Sequence, residues 1–330
     1  MNDTNTNSVT SPSEETQVTQ SSIKESQQTV EKLIENVEEV IVGKHEAIEH
    51  FMVAVFGRGH ILLEDVPGVG KTMMAKSVAQ SIEGEFSRVQ FTPDLLPTDV
   101  TGVNVFNEKT QEFEFQRGPI FGNVVLADEI NRAPPKTQSA LLEAMEEQQV
   151  TVDGETRPVP DPFIVVATQN SVERDRTYDL PAAEIDRFMK KINLGYPTND
   201  EESEVLRRVV GGHPIEEIKP VTTIEEIREI RSLTQSLTVE DSVRDYVSRL
   251  LEFTRDQASL GASPRGGIAL LQAAQSRALL DGRNYVIPDD IKTEAPYVLP
   301  HRIRADPSGS LGGSAATDIV EKGLQRVRPE

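Results

Sequence analysis

Apolar residues follow two patterns along the chain, one typical of helices and one typical of buried strands. The pattern found in each segment predicts its secondary structure. After a polar leader, apolar side chains recur three or four residues apart from residue 30 to 41, which predicts an amphipathic helix. A second helix is predicted from 45 to 56. Short continuous apolar runs then alternate with helical stretches, and such runs are typical of strands buried on both faces of a parallel sheet. The predicted strands are 61–63, 86–91, 124–126, 163–168 and 192–194.

This alternation predicts an α/β domain over residues 29–197, with helices packed on a parallel sheet. From 198 to 306 only helical spacing recurs, so a second, all-α domain is expected. The leader, 1–28, is rich in Ser, Thr, Asn, Gln and Glu and is predicted to be disordered. The last segment, 307–330, begins with many Gly, Ser and Ala residues and is predicted to be flexible.

Two segments of the α/β domain predict inserted hairpins. Residues 92–121 contain prolines and short alternating runs, which predict either a small hairpin or a helix flanked by strands. In 149–159, Asp153-Gly154 lies between two alternating runs, a strong hairpin signal. Such inserts project from the body of a domain, where they are placed to contact a partner or line a pore.

A glycine-rich loop follows the first predicted strand and opens a helix, an order that forms a phosphate cradle. Glycines allow backbone N–H groups to approach phosphate oxygens. We expect Lys71 to reach the β- and γ-phosphates of ATP and Thr72 to place its hydroxyl on Mg²⁺. The common pattern, G-x-x-x-x-G-K-[ST], has a glycine where this chain has Asp65. The expected nucleotide-binding residues are Asp65, Val66, Pro67, Gly68, Val69, Gly70, Lys71, Thr72 and Met73 in the loop, with Val42 and Gly43 beside the adenine.

Polar residues follow two later strands, at the edge where an open α/β sheet binds its ligand. Asp128 is expected to hold the Mg²⁺ shell through water, and Glu129 to accept a proton from the attacking water. Asn170 is expected to orient that water. The alternatives are a solvated acidic turn and a turn-forming Asn, but the Gly-Lys-Thr sequence upstream favours the chemical roles.

Two arginines are candidates for stabilising the charge that develops in phosphoryl transfer. Arg187 lies in a short predicted helix beside Asp186, and the alternative is a surface ion pair between these two residues. Arg265 lies at the mouth of a helix and is expected to approach the γ-phosphate as the two domains close. Its alternative is a capping or surface arginine.

Composition narrows the class of protein. A net charge of −20 argues against a chain that binds nucleic acid mainly without specificity, although a local basic patch is compatible with it. The absence of cysteine excludes disulfides, thiolate metal sites and a cysteine nucleophile. No apolar run approaches the length of a membrane span, and the first residues lack the apolar core of a signal peptide, so a cytoplasmic protein is expected.

Taken together, these residues resemble the MoxR family of AAA+ ATPases over about residues 30 to 305. Asp65 looks normal for that family, and the sequence departs from the family pattern mainly between 171 and 184. The stretches that carry the resemblance are LLEDVPGVGKT (62–72), QFTPDLLPTDVTG (90–102), RGPIFGNVVLADEINRAPPKTQSALLEAMEE (117–147), VVATQN (165–170), IDRF (185–188) and ASPRG (262–266).

The resemblance implies a P-loop AAA+ core with β-hairpin and helix inserts and a C-terminal all-α lid. It also implies a homo-oligomeric ring, a hexamer, with ATP and Mg²⁺ held between subunits. Members look like chaperone-like motors that mature client proteins or load cofactors into them, often with partners that contain a von Willebrand factor A domain. The residues that match the family motifs are Lys71 and Thr72 (first Walker motif), Asp128 and Glu129 (second), Asn170 (sensor one), Arg187 (arginine finger, acting on a neighbouring subunit's ATP) and Arg265 (sensor two).

Three functions compete at this point. The first is an ATP-hydrolysing motor that remodels protein clients. The second is a ring-shaped nucleic-acid translocase, which the negative net charge disfavours. The third is a nucleotide-gated scaffold without turnover, which the presence of Glu129 disfavours.

Overall fold

The structure is a computed structural model that describes residues 19–169, 178–210, 212–305 and 314–329. Its strands are β1 (Ile61–Glu64), β2 (Phe86–Gln90), β3 (Gly102–Asn107), β4 (Glu112–Arg117), β5 (Val124–Asp128), β6 (Gln149–Val152), β7 (Glu155–Pro158), β8 (Ile164–Gln169) and β9 (Lys190–Ile192). Its helices are α1 (Gln20–Glu38), α2 (His45–Phe56), α3 (Lys71–Ser81), α4 (Pro97–Thr101), α5 (Pro135–Glu147), α6 (Ala182–Ile185), α7 (Asn199–Val210), α8 (Ile224–Gln235), α9 (Asp241–Gln257), α10 (Pro264–Leu280), α11 (Pro288–Val298) and α12 (Ser314–Arg326).

Five strands form one parallel sheet in the order β2-β5-β8-β1-β9. Because all five run the same way, their carboxyl ends meet at one edge, where open α/β sheets bind ligands. The register pairs Gln90 with Asp128 and Glu64 with Gln169 at this edge. The α/β fold with a parallel sheet is therefore confirmed.

Helices cover both faces of the sheet, because alternate residues of a strand point to opposite sides. Ile61 and Leu63 are buried in a core shared with α1, α2, α3 and the C-terminal helices, whereas Leu62 is buried against the face covered by α5. The apolar runs of the sequence reflect this burial on both sides. Helices α8 to α12 pack together and against α1 and α2, and α8 to α11 lie within the all-α domain predicted over 198–306.

A buried charged network joins the two domains. Lys190 of β9 and Glu294 of α11 form an ion pair with no exposed side-chain surface, and Arg277 Nε of α10 donates to Glu294 Oε1 at 2.8 Å. Burial lowers the pKa of Lys190 to about 8, against the pull of the Glu294 carboxylate. Burial alone would raise the pKa of Glu294, but Lys190, His50 and Arg277 outweigh it and lower that pKa to about 2.

The insert at 92–121 contains both of the elements that the sequence left as alternatives. The short helix α4 is followed directly by the antiparallel hairpin β3–β4. The hairpin predicted around Asp153-Gly154 is β6–β7, and both turn residues have positive φ values, as a two-residue hairpin turn requires.

Two predicted boundaries are wrong. Helix α1 begins at Gln20, inside the leader predicted to be disordered, because Thr19 and Ser22 cap each other and Ile23 is fully buried. Helix α12 lies inside the segment predicted to be flexible, and its Ile319 and Val320 are buried against the lid core. Along the described ranges, no helix has both the length and the apolarity needed to cross a membrane.

Candidate active site

The glycine loop lies between β1 and α3 and has the shape of a phosphate cradle. Gly68 and Gly70 have φ values of +86° and +93°, which only glycine adopts without strain, and nothing stands within 4 Å of a Cβ at either position. Gly70 is the residue that caps α3, so the N–H groups of the first helical turn face the loop. This arrangement fits a phosphate group.

Lys71 folds back over the loop. Its Nζ donates to the carbonyl oxygens of Asp65 and Val66 at 2.9 and 3.3 Å. Burial lowers its pKa, and the carboxylates of Asp65, Asp128 and Glu129 act in the opposite direction. An anion placed in the loop would offer the ammonium group a charged partner in place of two carbonyls.

Asp65, the departure from the common glycine pattern, is a buried tether. Its Oδ2 accepts from the backbone N–H groups of Leu194 and Gly195 at 2.6 and 2.8 Å, and its Oδ1 from that of Val66 at 2.9 Å. A glycine has no side chain to make these bonds. The carboxylate therefore fixes the start of the loop to the segment that follows β9, and Asp65 is not among the residues that line the phosphate cleft.

Asp128 ends β5 beside the loop. Its Oδ1 accepts from Thr168 Oγ1 at 2.6 Å, and its Oδ2 accepts from Arg88 Nη2 at 2.6 Å. Neither Arg88 nor Thr168 belongs to a recognisable motif. The sequence signal for both is their position, since they are polar residues in the strands that flank β5.

Glu129 follows Asp128 in a left-handed backbone conformation with φ +56°. Its N–H donates to Thr168 Oγ1 at 2.8 Å, and its Oε2 accepts from Gln90 Nε2 and Arg132 Nη1, both at 2.7 Å. The hydroxyl of Thr168 therefore orients both acids at once. Gln90 belongs to no recognisable motif either, although it is the register partner of Asp128 in the sheet.

The glycine loop and both acids line a cleft of about 390 Å³, and an apolar pocket of about 240 Å³ adjoins this cleft. The two share Gly68, Gly70 and Met73, so they form one continuous surface along the loop. The cleft is lined by Pro67, Gly68, Gly70, Lys71, Thr72, Met73, Arg88, Asp128, Glu129 and Thr168. The apolar pocket is lined by Val40, Ile41, Val42, Lys44, Gly68, Val69, Gly70, Met73, Pro197, Val205, Arg208, Val209, His213 and Pro214.

This pair of cavities fits a magnesium nucleotide. The polar cleft suits phosphates, and the apolar pocket, which includes Val42, suits a purine ring. Gly43 is not among the lining residues; its backbone is instead approached by Glu201 of α7. In the described ranges no group of three His, Cys, Asp or Glu side chains is arranged so that it could hold a metal ion. Thr72 and Asp128 offer two oxygen ligands, which suits an ion that keeps waters and binds with its phosphates.

Arg187 and Arg265 lie together at the opposite edge of the sheet. Arg187 Nη1 donates to the carbonyl oxygen of Leu142 at 2.6 Å, and both arginines form ion pairs with Glu146. The alternative pairing of Arg187 with Asp186 is not observed, because the Asp186 carboxylate pairs with Arg302.

The strand length separates these arginines from the glycine loop of the same chain. His60 lines the arginine pocket and directly precedes β1, whereas Asp65 directly follows it. Five residue steps of about 3.3 Å place the two edges roughly 16 Å apart. Arg265 therefore does not line the phosphate cleft of its own chain in this structure, and its approach to a γ-phosphate stays a prediction.

Comparison with known proteins identifies the family. A model described as "ATPase family associated with various cellular activities (AAA)" matches residues 60–190, and one described as "AAA lid domain" matches 252–322. Over 286 residues the chain is 42% identical to "Chaperone MoxR1" of Mycobacterium tuberculosis, covering 83% of this chain and 75% of that protein. The chain belongs to the MoxR family of AAA+ ATPases.

Two further likenesses extend over nearly the whole chain. The Bacillus subtilis protein YeaC is 51% identical over 299 residues, which are 90% of this chain and 93% of that protein. A solved structure from Cytophaga hutchinsonii, 37% identical, superposes with a TM-score of 0.88 and covers 94% of this chain and 97% of that one. The MoxR resemblance found in the sequence and the AAA+ core with a lid are thus confirmed.

The MoxR motifs are brought together only in part. Lys71, Thr72, Asp128 and Glu129 line one cleft, as expected. Asn170, the candidate for sensor one, lies outside the described residues; β8 ends one position before it, at the same edge of the sheet.

Proposed function

We propose that this MoxR protein hydrolyses ATP as a subunit of a homo-oligomeric ring, a hexamer, in the cytoplasm. Turnover drives the remodelling, maturation or cofactor loading of client proteins, in concert with partners that contain a von Willebrand factor A domain. Family membership supports ATPase chemistry and a chaperone role, since one relative bears the name chaperone.

The observation that carries the proposal is the division of the machinery between two edges of one chain. The phosphate loop and both acids lie at the carboxyl edge of the sheet, and the arginine pair lies at the amino edge. Neither edge alone holds a nucleotide and the cations that stabilise transferred phosphate. Two subunits packed edge to edge, with the same orientation, complete a site at every interface, and a closed ring leaves no site incomplete.

In the proposed mechanism Lys71 contacts the β- and γ-phosphates, and Thr72 and Asp128 hold the shell of Mg²⁺, which neutralises phosphate charge when bound. Glu129 accepts a proton from the attacking water, and Asn170 orients that water. Glu129 Oε2 accepts from Gln90 and Arg132, whereas no hydrogen bond among the described residues reaches Oε1. Oε1 is therefore placed to accept the proton, and Oε2 can do so once one of its two hydrogen bonds is released.

Surface chemistry favours protein clients over nucleic acid. The β3–β4 hairpin exposes Phe106 and Phe113, whose rings stack edge to face at 5.3 Å, with 72% of Phe113 accessible. On the neighbouring hairpin, Arg157 pairs with Glu155 and lies over the ring of Phe115 at 4.0 Å, so its charge is already partnered. An apolar hairpin with few free cations suits unfolded or apolar polypeptide better than phosphate backbone.

The test is ATP turnover as a function of protein concentration, for the wild type and for Lys71→Ala, Glu129→Gln and Arg187→Ala, at low and high salt. We expect turnover per subunit to rise with concentration and to fall about 10³-fold or more in each variant. Glu129→Gln is expected to retain bound ATP, because it loses the base and keeps the phosphate contacts.

Two results would overturn the proposal. Turnover that is independent of concentration, with Arg187→Ala as active as the wild type, would mean that each chain holds a complete site. ATP binding without turnover at any concentration would favour the nucleotide-gated scaffold. Turnover stimulated by DNA in a salt-sensitive manner would instead favour the nucleic-acid translocase.

A further inference from the structure

The arginine pocket at the amino edge of the sheet contains more cations than the family motifs assign. It has a volume of about 180 Å³ and is lined by four arginines and two carboxylates, an excess of two positive charges in a chain whose net charge is −20. The arginines are Arg58, Arg187, Arg265 and Arg302. Such a pocket suits a group with several negative charges.

Three of the four arginines have a carboxylate partner among the described residues, and Arg58 has none there. Arg302 pairs with Asp186, while Arg187 and Arg265 share Glu146. No described residue forms a hydrogen bond or ion pair with the Arg58 guanidinium group, whose Nε is buried although the residue as a whole is only partly buried. An anion that entered the pocket would therefore meet a cation without a counter-charge.

The backbone at Arg58 is also strained. The residue lies between α2 and β1 with a φ of +57°, in the left-handed region that an arginine seldom adopts. A Cβ on the adjacent Gly59 would lie 2.4 Å from Met189 Cβ, so the turn is packed tightly against the residue that directly precedes β9. Strain of this kind persists where the surroundings impose it, and it concentrates at functional sites.

We propose that Arg58 is a third arginine acting between subunits: its guanidinium group contacts phosphate oxygens of the ATP bound by the neighbouring subunit, beside Arg187 and Arg265. The inference rests on the shared site proposed above. It explains why an unpaired cation occupies a strained turn at this edge, because the missing counter-charge arrives with the neighbour's nucleotide. Charge on transferred phosphate is spread over three equatorial oxygens, so several donors are used at once.

The test is complementation in mixed assemblies. Arg58→Ala, which keeps its own glycine loop, and Lys71→Ala, which keeps its arginines, carry different affinity tags, are coexpressed, and are purified through both tags. We expect Arg58→Ala alone to lose about tenfold or more in kcat with unchanged ATP affinity. In random equal mixtures about a quarter of the interfaces pair an intact loop with an intact Arg58, so turnover per subunit returns to about a quarter of wild type.

A parallel mixture of Arg187→Ala with Lys71→Ala tests the site shared between subunits separately from the role of Arg58. Recovery in that mixture without recovery for Arg58→Ala would overturn the role of Arg58 and leave the shared site intact. Recovery in neither mixture would overturn the shared site itself. Arg244→Ala is the matched control, because Arg244 is an exposed arginine of α9 paired with Asp241, and it is expected to behave as wild type.

A stability measurement distinguishes a functional role from a structural one. Glycine adopts the left-handed region freely, so Arg58→Gly relieves the strain, and its thermal midpoint is expected to equal or exceed that of the wild type. Turnover is expected to fall as far as in Arg58→Ala. A lower midpoint accompanied by the same loss of turnover would mean that Arg58 supports the fold, and the proposal would fail.

Discussion

Replacing Asp65 by glycine restores the common pattern of the phosphate loop, and we predict that it damages this protein. The Asp65 carboxylate is 8% exposed and accepts three backbone hydrogen bonds, two of them from Leu194 and Gly195. In Asp65→Gly these two N–H groups lose their partner. The glycine loop thereby loses the two hydrogen bonds that join Asp65 to the segment that follows β9.

The size of the effect follows from those bonds. A hydrogen bond to a charged group contributes about 1.5–3 kcal/mol, and the greater freedom of glycine in the unfolded chain adds about 0.5–1 kcal/mol. Gly195 is half-buried, so water can replace part of the hydrogen bond that its N–H loses in Asp65→Gly. We therefore expect the free energy of unfolding to fall by about 3 kcal/mol. ATP affinity is expected to fall as well, since the tether holds the start of the cradle.

Chemical denaturation measures the first effect and titration calorimetry with ATP the second. Asp65→Asn keeps one acceptor oxygen and is expected to lie between the wild type and Asp65→Gly. Asp153→Gly is the matched control: it removes one exposed hydrogen bond, from Asn104 Nδ2 at 2.8 Å, but Asp153 has a φ of +52° at a hairpin turn, where glycine is free of strain, so no net loss is expected. An Asp65→Gly variant within about 1 kcal/mol of wild type that also binds ATP normally would refute the tether.

Three further predictions concern buried charge and the catalytic acid. Glu294→Gln should lower the free energy of unfolding by about 3–5 kcal/mol, because it leaves the buried Lys190 without its carboxylate partner and removes one of the two carboxylates that pair with Arg277, the other being Glu49. Lys190→Met should cost less, since Arg277 stays 2.8 Å from the Glu294 carboxylate; denaturant titration compares the two variants. The pKa of Glu294 falls from 4.5 in the unfolded chain to about 2 in the fold, so its contribution to stability is complete above pH 4.5 and is lost as the pH falls toward 2. Denaturation between pH 7 and 3 should therefore show an acid loss that is smaller in Glu294→Gln, and an equal slope in both proteins would contradict this. Gln90→Leu removes one of the hydrogen bonds on Glu129 and should raise basal kcat about two- to tenfold at constant KM in steady-state assays; a KM change alone would argue against it.

Local patterns explain why the residues at the carboxyl edge of the sheet could be predicted to lie together. Lys71 and Thr72 follow a strand and a glycine turn, and Asp128 and Glu129 end a fully apolar strand. Parallel strands present their carboxyl ends at one edge, so these four residues had to meet once the strands paired. The helix at Gln20 was missed because Ser and Gln dominate its first turns, and a single buried residue, Ile23, carries the apolar signal.

Other features depended on contacts between distant parts of the chain. The amides that Asp65 binds lie 129 and 130 positions further along, and no local pattern relates them to the glycine loop. The ion pair between Arg265 and Glu146 spans 119 positions and two domains. Contacts of this range arise from how the lid packs on the core, which periodicity does not encode.

Burial on both faces of a strand and turn chemistry are local properties of the sequence, so the residue pattern alone predicts the parallel sheet, most of the helices and the residues at the carboxyl edge of the sheet. The convergence of Arg187, Arg265 and Arg58 at the amino edge, away from the glycine loop of their own chain, depends on tertiary contacts. Their separation is set by the length of β1 and by the docking of the lid. That distance is the physical reason why a complete site is proposed to require a second copy of the chain.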